Sequence, residues 1–133
     1  MTDVGILILR IVAGGTMFLS HGMAKAFSFS AKAAMFPDPL GLGSTVSMGM
    51  AVFAEFFCAI LIVAGIATRL ATIPLIGTML VAFFVVHAAD PFARKEMALL
   101  YLGMFIVIAL VGPGRLSVDA ILRAKKGGNA YRP

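Results

Sequence analysis

Four stretches of nearly unbroken apolar sequence, residues 4–25, 45–67, 70–89 and 97–111, decide what this chain can fold into. Each approaches the ~20 residues that a helix needs to cross ~30 Å of hydrocarbon, the last being shorter. The runs lack the alternation of a barrel strand, and inside a bilayer the backbone must satisfy its own hydrogen bonds, so helices follow. Only 13% of the 133 residues are charged and 61% are hydrophobic, too little polar surface to coat a water-soluble globule. The expected architecture is an all-α integral membrane protein: one domain over residues 1–133, a four-transmembrane-helix bundle with a short amphipathic C-terminal segment.

The breaks between the runs are explicit. Residues 26–44 hold Pro37, Pro39, Gly41 and Gly43, and their apolar content (Phe27, Phe29, Met35, Phe36, Leu40) predicts a loop lying on the membrane interface, with Ser30 capping a short helix through Phe36. Thr68-Arg69 leaves room only for a tight turn, so the second and third runs are expected to be antiparallel neighbours. Asp90-Pro91 stops the third run, and Gly112-Pro113-Gly114 stops the fourth. Beyond them Ser117 is placed to cap an amphipathic helix carrying Val118, Ile121 and Leu122, with Asp119 and Arg123 spaced for an i,i+4 pair. The N-terminus lacks the basic region of a cleaved signal peptide, so the first run reads as a retained span.

Four spans put both termini on one side. With them lie Arg69, Arg115, Arg123, Lys125, Lys126 and Arg132; the other side holds Lys25, Lys32, Arg94 and Lys95. This bias predicts that residues 112–133 form a cytoplasmic tail and that both termini are cytoplasmic. The tail's basic residues suit topology and contact with anionic headgroups rather than nucleic acid, which needs a folded basic surface. Cys58 is the sole cysteine, so neither an intrachain disulfide nor a CxxC redox pair can form; it reads as a small buried hydrophobe.

Ionisable residues within spans are costly and face a bundle interior or a cavity. Here they are Arg10, His21, Lys25, Glu55, His87 and Glu96. At 100° per residue Arg10, Gly14, Met17, His21 and Lys25 share one stripe of the first helix, with the glycine permitting close approach. A rise of ~1.5 Å per residue brings His21, Lys25, His87 and Glu96 to a common level near the outer side, with Glu55 deeper and Arg10 deeper still. The bland reading is internal neutralisation, Glu55 pairing with Arg10 or Lys25. The functional reading is a proton-active, ligand-binding pocket. Three chemistries fit it: hydrogen bonding to a quinone or similar head group, a metal site from His21, His87 and a carboxylate, or haem between the two histidines. No HxxxH or ExxH spacing supports metal, and no nucleophile–base pair or phosphate loop is present.

Several short motifs carry a resemblance. They are Leu9-Arg10 with His21-Gly22-Met23-Ala24-Lys25, Glu55, Gly65-Ile66-Ala67-Thr68-Arg69, His87, and Gly112-Pro113-Gly114-Arg115-Leu116-Ser117-Val118-Asp119. In this order, over nearly the whole chain, they resemble the DoxX family within the DoxX/DoxD-like group of small bacterial membrane proteins. The resemblance implies a four-helix inner-membrane protein. Some members of the group look like subunits of a quinone-reducing thiosulfate oxidoreductase, or associate with membrane redox and oxidative-stress assemblies. This chain departs from some relatives in lacking extra cysteines and a large extracytoplasmic portion, so the resemblance does not carry over a complete thiosulfate-oxidising activity.

The expectation is therefore an inner-membrane subunit associated with redox or oxidative-stress chemistry. Its polar pocket would bind a quinone-like molecule through His21, Glu55 and His87, with Arg10 and Lys25 tuning charge. It would work in the lipid bilayer beside a membrane-protein partner or in a homo-oligomer. The alternatives are a non-catalytic accessory subunit, whose polar residues only lock the helices, and a small transporter.

Overall fold

A backbone that must bond to itself in lipid has one economical solution, and the chain adopts it. The structure is a computed structural model that describes residues 1–129. Among the described residues there are helices and turns but no strand. Three helices are long and apolar enough to cross a membrane: α1 (Thr2–Phe27), α2 (Ser44–Ala64) and α3 (Thr68–Val86). A further long helix, α4 (Phe92–Val111), carries Arg94, Lys95 and Glu96 in its first turns. A last helix, α5 (Val118–Asn129), is amphipathic. Arg132 of the basic tail lies outside the described residues.

Each long helix packs on the next, and α4 closes back against α1. The shared interior is built from Ala13, Met17, Ala54, Cys58, Ala59, Ile62, Ala71, Leu75, Met79, Leu102, Phe105 and Ile108. Lipid tails are as apolar as leucine, so association rests on close packing, and the four alanines in that set let the backbones approach. Large apolar residues such as Ile8, Phe57, Ile73 and Leu100 stay more than half exposed on the outside, as a lipid-facing surface requires. Pro74 sits inside α3, and Thr78 Oγ1 donates to its carbonyl at 2.8 Å.

The turns refine the sequence expectations. α2 stops at Ala64 rather than Ala67 because Gly65 takes a left-handed conformation (φ 73°) and its N–H bonds back to Leu61 O at 2.8 Å. Gly65 has no substitute for a second reason: a β-carbon there would meet Ser117 Cβ at 2.5 Å and Arg10 Nη2 at 2.7 Å. The turn falls on Gly65, Ile66 and Ala67 rather than on Thr68-Arg69, which already open α3, and it does make α2 and α3 neighbours. In the first loop Ser30 lies within a helical turn, Phe29–Lys32, and caps nothing; a 3₁₀ turn, Ala33–Met35, follows it. The loop's organiser is Asp38. Its carboxylate accepts from Ser47 Oγ at 2.8 Å, and from Gly43 N–H and Leu42 N–H at 2.9 Å each. The Ser47 and Gly43 bonds hold its pKa below the usual carboxylate value.

Ser117 caps α5 as its position foretells, with Ala120 N–H donating to Ser117 Oγ at 3.2 Å. Asp119 does not spend its carboxylate on Arg123. It turns to the start of α3, accepting from Ala67 N–H at 2.9 Å and from Thr68 N–H and Thr68 Oγ1 at 3.0 Å each. Three well-placed donors outcompete one exposed arginine, whose surface ion pair contributes little. Asp3 Oδ1 accepts from Arg115 N–H at 3.0 Å, so the beginning of α1 and the segment after α4 meet at one end of the bundle.

Candidate polar site within the helices

α1, α2 and α3 each contain a stretch of wider π-helical turn: Phe18–Gly22, Phe53–Cys58 and Ala82–Val86. Such turns inside α-helices are frequent at functional sites, because they re-aim side chains that a regular helix would space evenly. The first two stretches hold His21 and Glu55, and they pack directly on each other. Gly22 makes the contact possible. A β-carbon on it would collide with the Glu55 carbonyl oxygen and would lie 2.9 Å from Phe56 Cα. The glycine in the His21-Gly22 pair is thus an approach point between α1 and α2.

Across that contact Lys25 Nζ forms a hydrogen-bonded ion pair with Glu55 Oε2, the glutamate side chain being only 5% exposed and the lysine 25%. Glu55 stands eleven residues after Ser44, or about 16 Å along α2 at 1.5 Å per residue. A charge so deep is expensive alone, by about 2.5–3.5 kcal/mol on insertion scales, and a partner relieves it. His21 lies one helical turn before Lys25 on α1, in the stretch that packs on the one holding Glu55. On its other side His21 meets Tyr101 of α4 edge-on, with ring centroids 5.7 Å apart at 89°. The Tyr101 hydroxyl donates to Thr16 Oγ1 at 3.1 Å, and Thr16 Oγ1 donates to Val12 O at 2.5 Å. Cys58 is buried one turn beyond Glu55. Three helices therefore supply a connected set: a cation, a carboxylate, an imidazole and a phenol.

Of the six sequence-selected residues, the structure brings together His21, Lys25 and Glu55. Arg10 lies elsewhere, 1% exposed and wholly occupied. Its Nε donates to Ile62 O at 3.0 Å, Nη2 to Val63 O at 2.9 Å, and Nη1 to Pro113 O at 2.8 Å and Leu116 O at 2.7 Å. The guanidinium fork thereby ties α1 to the end of α2 and to the segment after α4. Between the two partners open to Glu55, the structure selects Lys25. His87 Nδ1 and Asp90 Oδ2 are 2.7 Å apart at the end of α3, and Glu96 is exposed on α4. Tyr101 escaped the sequence reading. Its signal is a phenol within an apolar run, where a buried hydroxyl needs a partner.

Among the described residues no buried side-chain nitrogen or oxygen lacks a hydrogen-bond partner, and no group of three or more His, Cys, Asp and Glu gathers as for a metal ion. Two surface clefts, of about 320 and 350 Å³, lie at the end of the bundle that carries Asp3, Arg69 and Pro113. Neither is lined by His21, Lys25 or Glu55.

Comparison with known proteins agrees with the pattern of motifs. The DoxX family model matches residues 5–88. The chain is 30% identical over 129 residues to a Bacillus subtilis (strain 168) protein named "Putative oxidoreductase CatD", covering 96% of this chain and 94% of the relative. It is 26% identical over 131 residues to "Inner membrane protein YqjF" of Escherichia coli (strain K12), covering 94% of this chain and 97% of the relative. No solved structure matches it significantly. The chain belongs to the DoxX family.

Proposed function

We propose that this DoxX-family membrane protein is an inner-membrane subunit of a redox system, and that His21, Lys25, Glu55 and Tyr101 form its site for the head group of a quinone-like molecule. The observation that carries the reading is the meeting of imidazole, ammonium, carboxylate and phenol from three helices around the Gly22 contact. The word oxidoreductase in the name of one relative and the inner-membrane label of another point the same way.

The chemistry is simple to state. A quinone becomes a quinol by taking up two electrons and two protons. The electrons would come from an oxidoreductase partner. His21 and Lys25 can donate hydrogen bonds to a carbonyl oxygen, and Glu55 can hold and pass a proton. Arg10, whose donors are all engaged with carbonyls, is better read as a positioning residue for the helices, and His87 and Glu96 as outer-surface groups.

The topology that goes with this reading has four crossings. α4 has 20 residues, about 30 Å of helix, and packs along α3 with its charged first turns at the far end from Arg69. The excess of Lys and Arg beside the termini supports a topology with both termini in the cytoplasm and the apolar loop of residues 26–44 on the outer interface.

The test is purification in mild detergent followed by mass spectrometry of the intact protein with its bound small molecules. Retention of a quinone, lost in Glu55→Gln and His21→Ala, supports the reading. A protein that carries no quinone, and whose two variants keep full activity in host redox assays, overturns it. A second reading, the non-catalytic accessory subunit, is favoured by one observation: the clefts lie away from the polar set, whose groups already satisfy one another. It expects a stoichiometric membrane-protein partner and no pocket ligand.

A further inference from the structure

The two clefts at the Asp3 end are adjacent, both being lined by Arg69, Pro113 and Arg123. Together they gather Arg69, Arg115, Arg123 and Lys126 against two carboxylates, Asp3 and Asp119. Those carboxylates are committed to backbone N–H groups: Asp119 to Ala67 and Thr68, Asp3 to Arg115. Among the described residues none of the four cations forms an ion pair; the ion pairs are Lys25–Glu55 and His87–Asp90. Arg69 only reaches Leu110 O at 3.5 Å.

The same cleft has an apolar wall. Leu70, 68% exposed, and Leu122, 49% exposed, line it beside Arg69, Arg123 and Lys126. Leu70 sits in the first turn of a helix apolar enough to cross the bilayer, and Leu122 on amphipathic α5. The cleft therefore stands where hydrocarbon gives way to headgroups, cationic on one wall and apolar on the other. Free phosphate would use only the cationic wall; an amphiphile uses both.

We propose that this cleft is a binding site for the phosphate headgroup of an anionic phospholipid, with Arg69, Arg123 and Lys126 on the phosphate and Leu70 and Leu122 against the first acyl segment. α5 is then held on the membrane surface by its lipid as well as by Asp119. The site is separate from the polar set around Glu55 and does not depend on a quinone there.

The test uses the full chain in nanodiscs of phosphatidylcholine with or without phosphatidylglycerol, and native mass spectrometry of the lipid that stays bound. Selective retention of phosphatidylglycerol is expected, falling roughly fivefold for each of Arg123→Gln and Lys126→Gln, since a basic residue near an anionic surface contributes about 1 kcal/mol. Arg94→Gln, the same charge change at the opposite end, should leave retention unchanged. Arg69→Gln is read only if its circular dichroism matches the parent; the two α5 variants decide otherwise. Equal retention of both lipids, or an equal loss in Arg94→Gln, overturns the site. Displacement of the lipid by inorganic phosphate alone overturns the lipid as its occupant.

Discussion

Asp119, in the first turn of α5, closes the N-terminus of α3 by accepting from both the N–H and the hydroxyl of Thr68. A residue 51 positions away in sequence does the work usually given to a neighbouring cap. The donors at a helix start carry partial positive charge, so the carboxylate is favoured there as an anion.

The first prediction concerns pH. Burial pushes the Asp119 pKa up, but the bonds from Thr68 and Ala67 outweigh it, and the group ends below the ordinary carboxylate value. A depressed folded pKa contributes stability that is present above the unfolded value near 4 and is lost as pH falls through the folded value. The attachment of α5 should loosen in that acidic window. Hydrogen exchange at Thr68 and Ala67 N–H, followed as pH falls, checks it. Asp119→Ala should show the loosened exchange already at neutral pH, at a cost of about 0.5–2 kcal/mol.

Arg10→Lys is expected to destabilise the protein although it keeps the charge. Lysine is a compact point charge and cannot reproduce the fork that reaches Ile62, Val63, Pro113 and Leu116. Each buried carbonyl left unpaired costs about 1–3 kcal/mol. Thermal unfolding in detergent should show a clear drop in Tm, and an unchanged Tm would count against a structural fork.

Lys25 and Glu55 should be energetically coupled. Lys25→Met alone strands a carboxylate inside the bundle, at a cost of the order of 2.5–3.5 kcal/mol. Adding Glu55→Gln should recover much of that loss. A double-mutant cycle on unfolding free energy measures the coupling, and additive effects would mean that the two groups do not pair in the membrane.

Gly22→Ala should be disproportionately damaging for one added methyl group. Backbone of α2, not a flexible side chain, stands in the way, so the helices must separate, with overpacking costs of about 1–3 kcal/mol. A cysteine pair placed across α1 and α2 at lipid-facing positions should lose its crosslinking yield in the variant. Gly49→Ala, where nothing stands nearby, is the matched control.

Three helices able to cross a membrane were legible because long apolar runs have one solution in lipid, and the inward stripe of α1 was legible because Arg10, Gly14 and Met17 repeat at helical spacing and are all buried. The roles of individual polar groups were harder to read. Arg10 is held by carbonyls from two distant segments, and no spacing rule announces a backbone acceptor. Asp119 had a plausible partner four residues away, yet its real donors belong to another helix. The π-helical turns at His21 and Glu55 break the even 100° spacing that a helix wheel assumes, so a wheel cannot show them. Tyr101 was masked by its run, where a phenol counts as one more aromatic.

The bond between Asp3 and the Arg115 N–H fixes more than a helix end. Helices whose first member begins beside the segment that follows α4 can be duplicated without inverting the second copy. A doubled protein built from this unit would carry parallel repeats, related by an axis along the membrane normal, rather than the inverted repeats on which many transporters are built. In such a fusion the basic clefts of both copies would lie at the same end of the doubled bundle.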